Sequence, residues 1–202
     1  MFARSAFLTA AAVLLPAASA SAAVVVFDDD FTTNASGVFD GQNSASITES
    51  GVTLTLSVAD PVSNFETTGG GIGVNAAGAQ TNSPAFDVEG GEVFTISFDA
   101  VGTLDSFDVR ALNGGGGDVT FTNLATSDST TASINYPASG FSDQTVSFSS
   151  LGFSAGDTIS VTSDAGSRYR VRALTTDIIP EPASAALLAA GLACLASRRR
   201  NA

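Results

Sequence analysis

Between residues 24 and 179 apolar and polar side chains alternate with a period of two, not with the three-to-four spacing of a helix. Val52, Leu54, Leu56 and Val58 are interleaved with Thr53, Thr55 and Ser57. Phe94, Ile96 and Phe98 flank Thr95 and Ser97, Phe107 and Val109 flank Asp108, Val146 and Phe148 flank Ser147, and Ile159 and Val161 flank Ser160. Tyr169, Val171 and Ala173 alternate with Arg170 and Arg172. This pattern predicts half-buried strands, and the abundance of Thr, Ser, Val and Phe suits a pleated surface. Turn-forming clusters separate the runs at 67–73, 90–91, 113–117 and 154–157. No stretch of the body predicts a helix. Short strands at this spacing predict an all-β fold, an antiparallel β-sandwich of jelly-roll type. The first apolar run, Val24 to Phe27, and the last, Tyr169 to Leu174, are expected to lie near each other.

The two ends break the pattern. Met1 to Arg4 is a short cationic start, Ser5 to Ala17 is apolar, and small residues follow through Ala23, the layout of a secretory signal peptide over 1–23 with cleavage after Ala22 or Ala23. The body is expected over 24–178. From 179 to 202 the chain carries Pro180-Glu181-Pro182, then small apolar residues, then Arg198-Arg199-Arg200. The paired prolines hold their segment extended. As a helix, Ala183 to Ser197 spans roughly 22 Å, short for a hydrocarbon core of about 30 Å. The arginines mark a cytoplasmic stop. Together these predict a short transmembrane helix that anchors the chain temporarily, with an accessible extended motif ahead of it.

This tail closely resembles the PEP-CTERM sorting signal of Gram-negative bacteria that make exopolysaccharide. The resemblance rests on Pro180-Glu181-Pro182-Ala183-Ser184, the apolar stretch and the three terminal arginines. It implies processing near Pro182 by an exosortase-type membrane protease, transient residence in the inner membrane, and release to the cell surface or extracellular matrix. The body is also similar to ectodomains of this sorting family, through Gly71-Ile72-Gly73-Val74 and Gly90-Gly91-Glu92-Val93-Phe94. That similarity implies a fold and no activity.

Composition narrows the chemistry. The chain has no His, no Lys and a single Cys, Cys194. These absences remove imidazole acid–base catalysis, Schiff-base chemistry, an internal disulfide and any Cys-only zinc site. The body holds four of the eight Arg and nineteen of the twenty acids, a net charge of −15. Such a body repels nucleic acid and anionic membrane.

Four local patterns bear on function. Gly152-Phe153-Ser154-Ala155-Gly156 matches the serine-hydrolase elbow, but the chain has no His to serve as base, and the residues after it predict a strand, so a turn is expected. Gly71 to Ala76 loosely matches a dinucleotide loop without the strand-to-helix context such a loop needs, and reads as a glycine-rich loop. Asp28 and Asp30, with Asp177 from the last strand, are candidate oxygen ligands for Ca²⁺, the alternative being solvated loop carboxylates. Arg168, Arg170 and Arg172 share one strand face and suit either pairing with acids or an acidic polysaccharide. With no Trp and two Tyr, sugar-stacking platforms are scarce, and most Phe fall on the apolar phase. The expected function is that of an exported, non-enzymatic surface or matrix protein associated with exopolysaccharide, with no bound cofactor. The alternative is a binding module for an acidic polysaccharide, assisted or not by Ca²⁺.

Overall fold

A computed structural model describes residues 22–28, 31, 38–60, 63–68, 71–75, 88–89 and 92–179. The expected signal peptide, Asp30 and the tail from Pro180 lie outside the described residues. The described residues contain thirteen strands and no helix. They are β1 (Ala23–Phe27), β2 (Ser44–Glu49), β3 (Val52–Val58), β4 (Asn64–Thr68), β5 (Gly71–Asn75), β6 (Val88–Glu89) and β7 (Val93–Phe98). β8 (Gly102–Leu112), β9 (Asp118–Asn123), β10 (Ser129–Ser133), β11 (Phe141–Phe153), β12 (Thr158–Ser163) and β13 (Arg168–Ile178) complete the chain.

The strands form the two antiparallel sheets the pattern predicts. One sheet has seven strands in the order β11-β8-β13-β5-β4, with β1 and β6 also paired to β13. The other has six, in the order β10-β9-β12-β7-β3-β2. Period-two sequences place their large apolar residues between the sheets, where Leu54, Ile96, Val109, Ile159 and Tyr169 are each 0% exposed. Aromatic rings join the layers. Phe107 of the seven-stranded sheet meets Phe121 of the other edge-on at 5.1 Å, and Phe98 stacks on Phe153 at 4.4 Å. Such pairs each add roughly 0.5–1.5 kcal/mol beyond the area they bury. The Tyr169 hydroxyl, held wholly inside, shares a 2.9 Å hydrogen bond with Ser163, and burial pushes its ionisation above the ordinary tyrosine range.

The outer faces differ. That of the six-stranded sheet is a ladder of hydroxyls, with Ser44–Ser57 and Ser46–Thr55 at 2.7 Å and Thr120–Thr131 at 3.1 Å. All four arginines of the body lie on β8 and β13 of the seven-stranded sheet.

The first and last apolar runs do pair. β1 runs antiparallel to β13 from Ala23 opposite Ile178 to Phe27 opposite Leu174. The two ends of the body therefore leave the sandwich side by side, and Ile179 is still held through a 2.8 Å bond from its N–H to the Val101 carbonyl.

Two sequence readings are corrected. Gly71 to Asn75 is a strand, not a glycine-rich loop, and the predicted turn over 67–73 shrinks because β4 reaches Thr68. Gly71 is there for close approach. Gly71 has φ +125°, and a Cβ on it would sit 2.5 Å from the Val171 carbonyl oxygen of β13. The alternation of β13 also slips. Val171 faces Val109 and Ala173 faces Asp108, leaving Arg172 as an extra residue, so Ala173 leaves the inward phase and Leu174 takes it.

Gly71→Ala is expected to destabilise the protein by about 2 kcal/mol or more, through backbone strain and the clash with β13. Gly152→Ala, whose added methyl meets nothing within 4 Å, is expected to be nearly silent in the same thermal-unfolding measurement.

Candidate functional site

The bulge in β13 shapes the outer face of the seven-stranded sheet. It sets two consecutive side chains, Arg172 and Ala173, on that face opposite Asp108. Because alanine is small, the surface sinks there. A cleft of about 470 Å³ crosses the strands, lined by Asp143 and Thr145 of β11, Asp108 of β8, Arg172 and Ala173 of β13, and Asp28 just beyond β1. That volume falls within the roughly 300–1,000 Å³ typical of small-molecule sites. From β11 to β1 it crosses three interstrand spacings, about 14 Å.

One carboxylate organises the charges. Arg110 grips Asp143 with both prongs, Nε to Oδ1 at 2.6 Å and Nη2 to Oδ2 at 2.8 Å. Arg172 reaches the same Oδ2 through Nη1 at 2.6 Å. The cross-strand register explains the first contact, since Asp143 stands directly opposite Arg110. The hydrogen bond from Arg110 lowers the Asp143 carboxyl below the usual carboxylate range, and the same bond raises the arginine. The Arg110 guanidinium also lies 4.2 Å from the ring centroid of Phe141. Phe141 shares the outward phase of β11 with Asp143 and Thr145 and is 61% exposed, the one exposed aromatic among the described residues.

Of the three arginines read from the sequence, Arg172 enters the cleft, and it is engaged by Asp143. Its Nε is buried with no hydrogen-bond partner. Neither Arg168 nor Arg170 is without a partner. Arg110 and Arg172 are thus both engaged by one carboxylate of the protein itself.

Asp28 and Asp177, two of the three proposed Ca²⁺ ligands, are not brought together. Asp177 pairs with Val24, whereas Asp28 lies past Phe27, so the two are four residues apart along the ladder, roughly 13 Å. Asp30 lies outside the described residues. Among the described residues no three His, Cys, Asp or Glu side chains gather as a metal site. Asp28 instead lies in the cleft with Asp108, and neither carboxylate has a hydrogen-bond or ion-pair partner among the described residues.

The Gly-x-Ser-x-Gly segment is the expected turn. Ser154 donates its N–H to Asp157 Oδ2 at 2.9 Å, Asp157 returns its own N–H to the Ser154 carbonyl at 3.0 Å, and the chain passes from β11 to β12 without a helix.

Asp108, Asp143, Thr145 and Phe141 were not singled out by sequence reasoning. Their one visible signal is position, since each falls on the polar phase of a strand, and nothing local marks them as neighbours.

Among known families, the PEP-CTERM protein-sorting motif matches residues 179–200. No curated protein matches the chain. Among solved structures, a carbohydrate binding module from Cellvibrio mixtus lichenase 5A, in complex with cellotriose, aligns with 13% identity over 78% of this chain and 97% of its own, at a TM-score of 0.34.

Because Asp143 titrates below its ordinary 3.8 in the folded state, its ion pairs contribute stability above that value and lose it as pH falls through the folded value. Asp143→Asn is therefore expected to cost about 1 kcal/mol at neutral pH, as befits a half-exposed charged pair. In denaturant titrations the difference from wild type should shrink toward zero in strong acid, where the native carboxyl is itself protonated.

Proposed function

We propose that this chain, which carries a PEP-CTERM protein-sorting motif, is an exported, non-enzymatic protein of the cell surface or extracellular matrix. In this reading residues 1–23 are a signal peptide. An exosortase-type protease in the inner membrane recognises Pro180-Glu181-Pro182, the tail is held by a short helix with Arg198, Arg199 and Arg200 on the cytoplasmic side, and the β-sandwich is released into exopolysaccharide. The single observation that carries it is the motif match over residues 179–200.

The geometry of the body is in accord. β1 begins at Ala23, beside the expected signal-peptide cut, and β13 ends at Ile178, one residue before the motif match begins. The second cut falls beyond the last strand, and the first, after Ala22 or Ala23, takes at most the terminal residue of β1. A recognition segment that starts immediately after the last strand keeps the folded body close to the membrane until it is released, since each extended residue adds about 3.5 Å at most.

A second reading, that the body binds polysaccharide, is supported by the cleft across β11, β8, β13 and β1. The non-enzymatic reading is supported by the absence of His, Lys and any reactive Cys from the body. It predicts that no reducing ends appear when the protein is incubated with polysaccharides.

Mass spectrometry of the protein from each cell fraction tests the main proposal. The expected product is extracellular, begins near Val24 and ends near Pro182. Replacing Pro180, Glu181 and Pro182 together by alanine should leave an uncut tail in the inner-membrane fraction. Release of the variant at the wild-type mass would overturn the sorting role of the triplet.

A further inference from the structure

The cleft is a region of mismatched charge: its cation is occupied and two of its acids are not. Arg172, its one lining cation among the described residues, is held by Asp143, and Asp143 is itself taken up by two guanidinium groups. Asp28 and Asp108 have no partner among the described residues. An anionic ligand would meet two unneutralised carboxylates and would have to displace Asp143 to reach a guanidinium. A ligand rich in hydrogen-bond donors and free of charge meets no such obstacle, because hydroxyl groups donate to carboxylates without carrying a counter-charge that must be desolvated.

The rim adds an apolar element. Phe141 lies one outward position beyond Asp143 on β11, with its ring 61% exposed and anchored by the Arg110 guanidinium. An exposed aromatic beside a polar cleft offers the C–H face of a sugar ring a surface to pack on. The cleft crosses the strands for about 14 Å, which suits a segment of polymer better than a single small molecule.

We propose that this cleft binds a neutral, hydroxyl-rich polysaccharide, with Asp28 and Asp108 accepting from its hydroxyls, Thr145 offering a further polar contact, and Phe141 supporting a ring at the rim. The proposal rests on the polysaccharide-binding reading and replaces the acidic ligand that the arginine stripe suggested. Arg172 and Arg110 are then positioning residues, which hold Asp143 and so fix the near wall of the cleft.

Affinity electrophoresis of the protein released by cells expressing the full chain decides the matter. The gels contain laminarin, dextran or hydroxyethylcellulose as neutral polymers and alginate or polygalacturonate as anionic ones, all with EDTA. The expected result is retardation by at least one neutral polymer and by neither anionic one. Phe141→Ala and Asp108→Asn should each weaken it about tenfold, the loss of one good contact. Should Asp108→Asn fail to fold, Phe141→Ala carries the test, because that side chain is already largely exposed. Retardation by the anionic polymers alone overturns the ligand class and leaves polysaccharide binding standing. Retardation that needs Ca²⁺ in place of EDTA overturns direct recognition by the carboxylates. Neutral binding untouched by both variants overturns the assignment to this cleft. Retardation by none of the polymers overturns the inference and the binding reading together.

Discussion

Everything in the seven-stranded sheet hangs on the hydrogen-bond ladder of β13. Along one side it carries nearly the full length of β8, and along the other it receives β1, β5 and β6. Among the described residues no other strand joins more than two neighbours. A strand with partners on both sides tolerates little change in backbone position, which is why β5 approaches it through a glycine at Gly71, where even one methyl has no room. It also supplies Tyr169, Val171 and Leu174 to the space between the sheets, so hydrogen bonding and apolar packing are fixed by the same residues.

The same strand shapes the candidate site by departing from regularity. A single extra residue at Arg172 sends two successive side chains outward and lowers the surface by the size difference between arginine and alanine. Asp143 then draws Arg110 and Arg172 together from different strands. The result is a recess whose positive charge is internally satisfied while its remaining acids face outward. The electrostatic character of the face therefore cannot be read from its arginine stripe, which alone would suggest a basic patch.

The sequence is informative in most places where large apolar residues alternate with small polar ones, although β9, with Val119 and Phe121, obeys the rule without being among the predicted runs. β3, β7, β12 and β13 follow that rule, and the proximity of the first and last apolar runs was anticipated. β2, β4 and β10 were missed because each has a single strongly apolar or small residue at its core positions, Ile47, Phe65 and Ala132. β5 looks like a loop in sequence because glycine there, at Gly71, serves close packing and not flexibility. The arginine stripe was visible, whereas its partner Asp143 was not, since cross-strand register is a property of the folded sheet. The cleft joins residues 28, 108, 143 and 172, far apart along the chain, and the bulge that opens it is silent in sequence because alanine is acceptable in either phase of a strand.

The antiparallel pairing of β1 with β13 has a consequence in time. A ribosome delivers β1 first and β13 last, so the opening strand must wait for almost the entire body to be made before its partner exists. Until then its valines and its unpaired backbone stay open to solvent and to other chains, the condition in which nascent strands aggregate. The seven-stranded layer cannot close gradually from its beginning; it closes when the final strand arrives. Completion of the fold and appearance of the terminal segment that follows Ile178 are thereby made nearly simultaneous. A truncated chain that stops short of β13 lacks the means to fold as well as the means to be sorted.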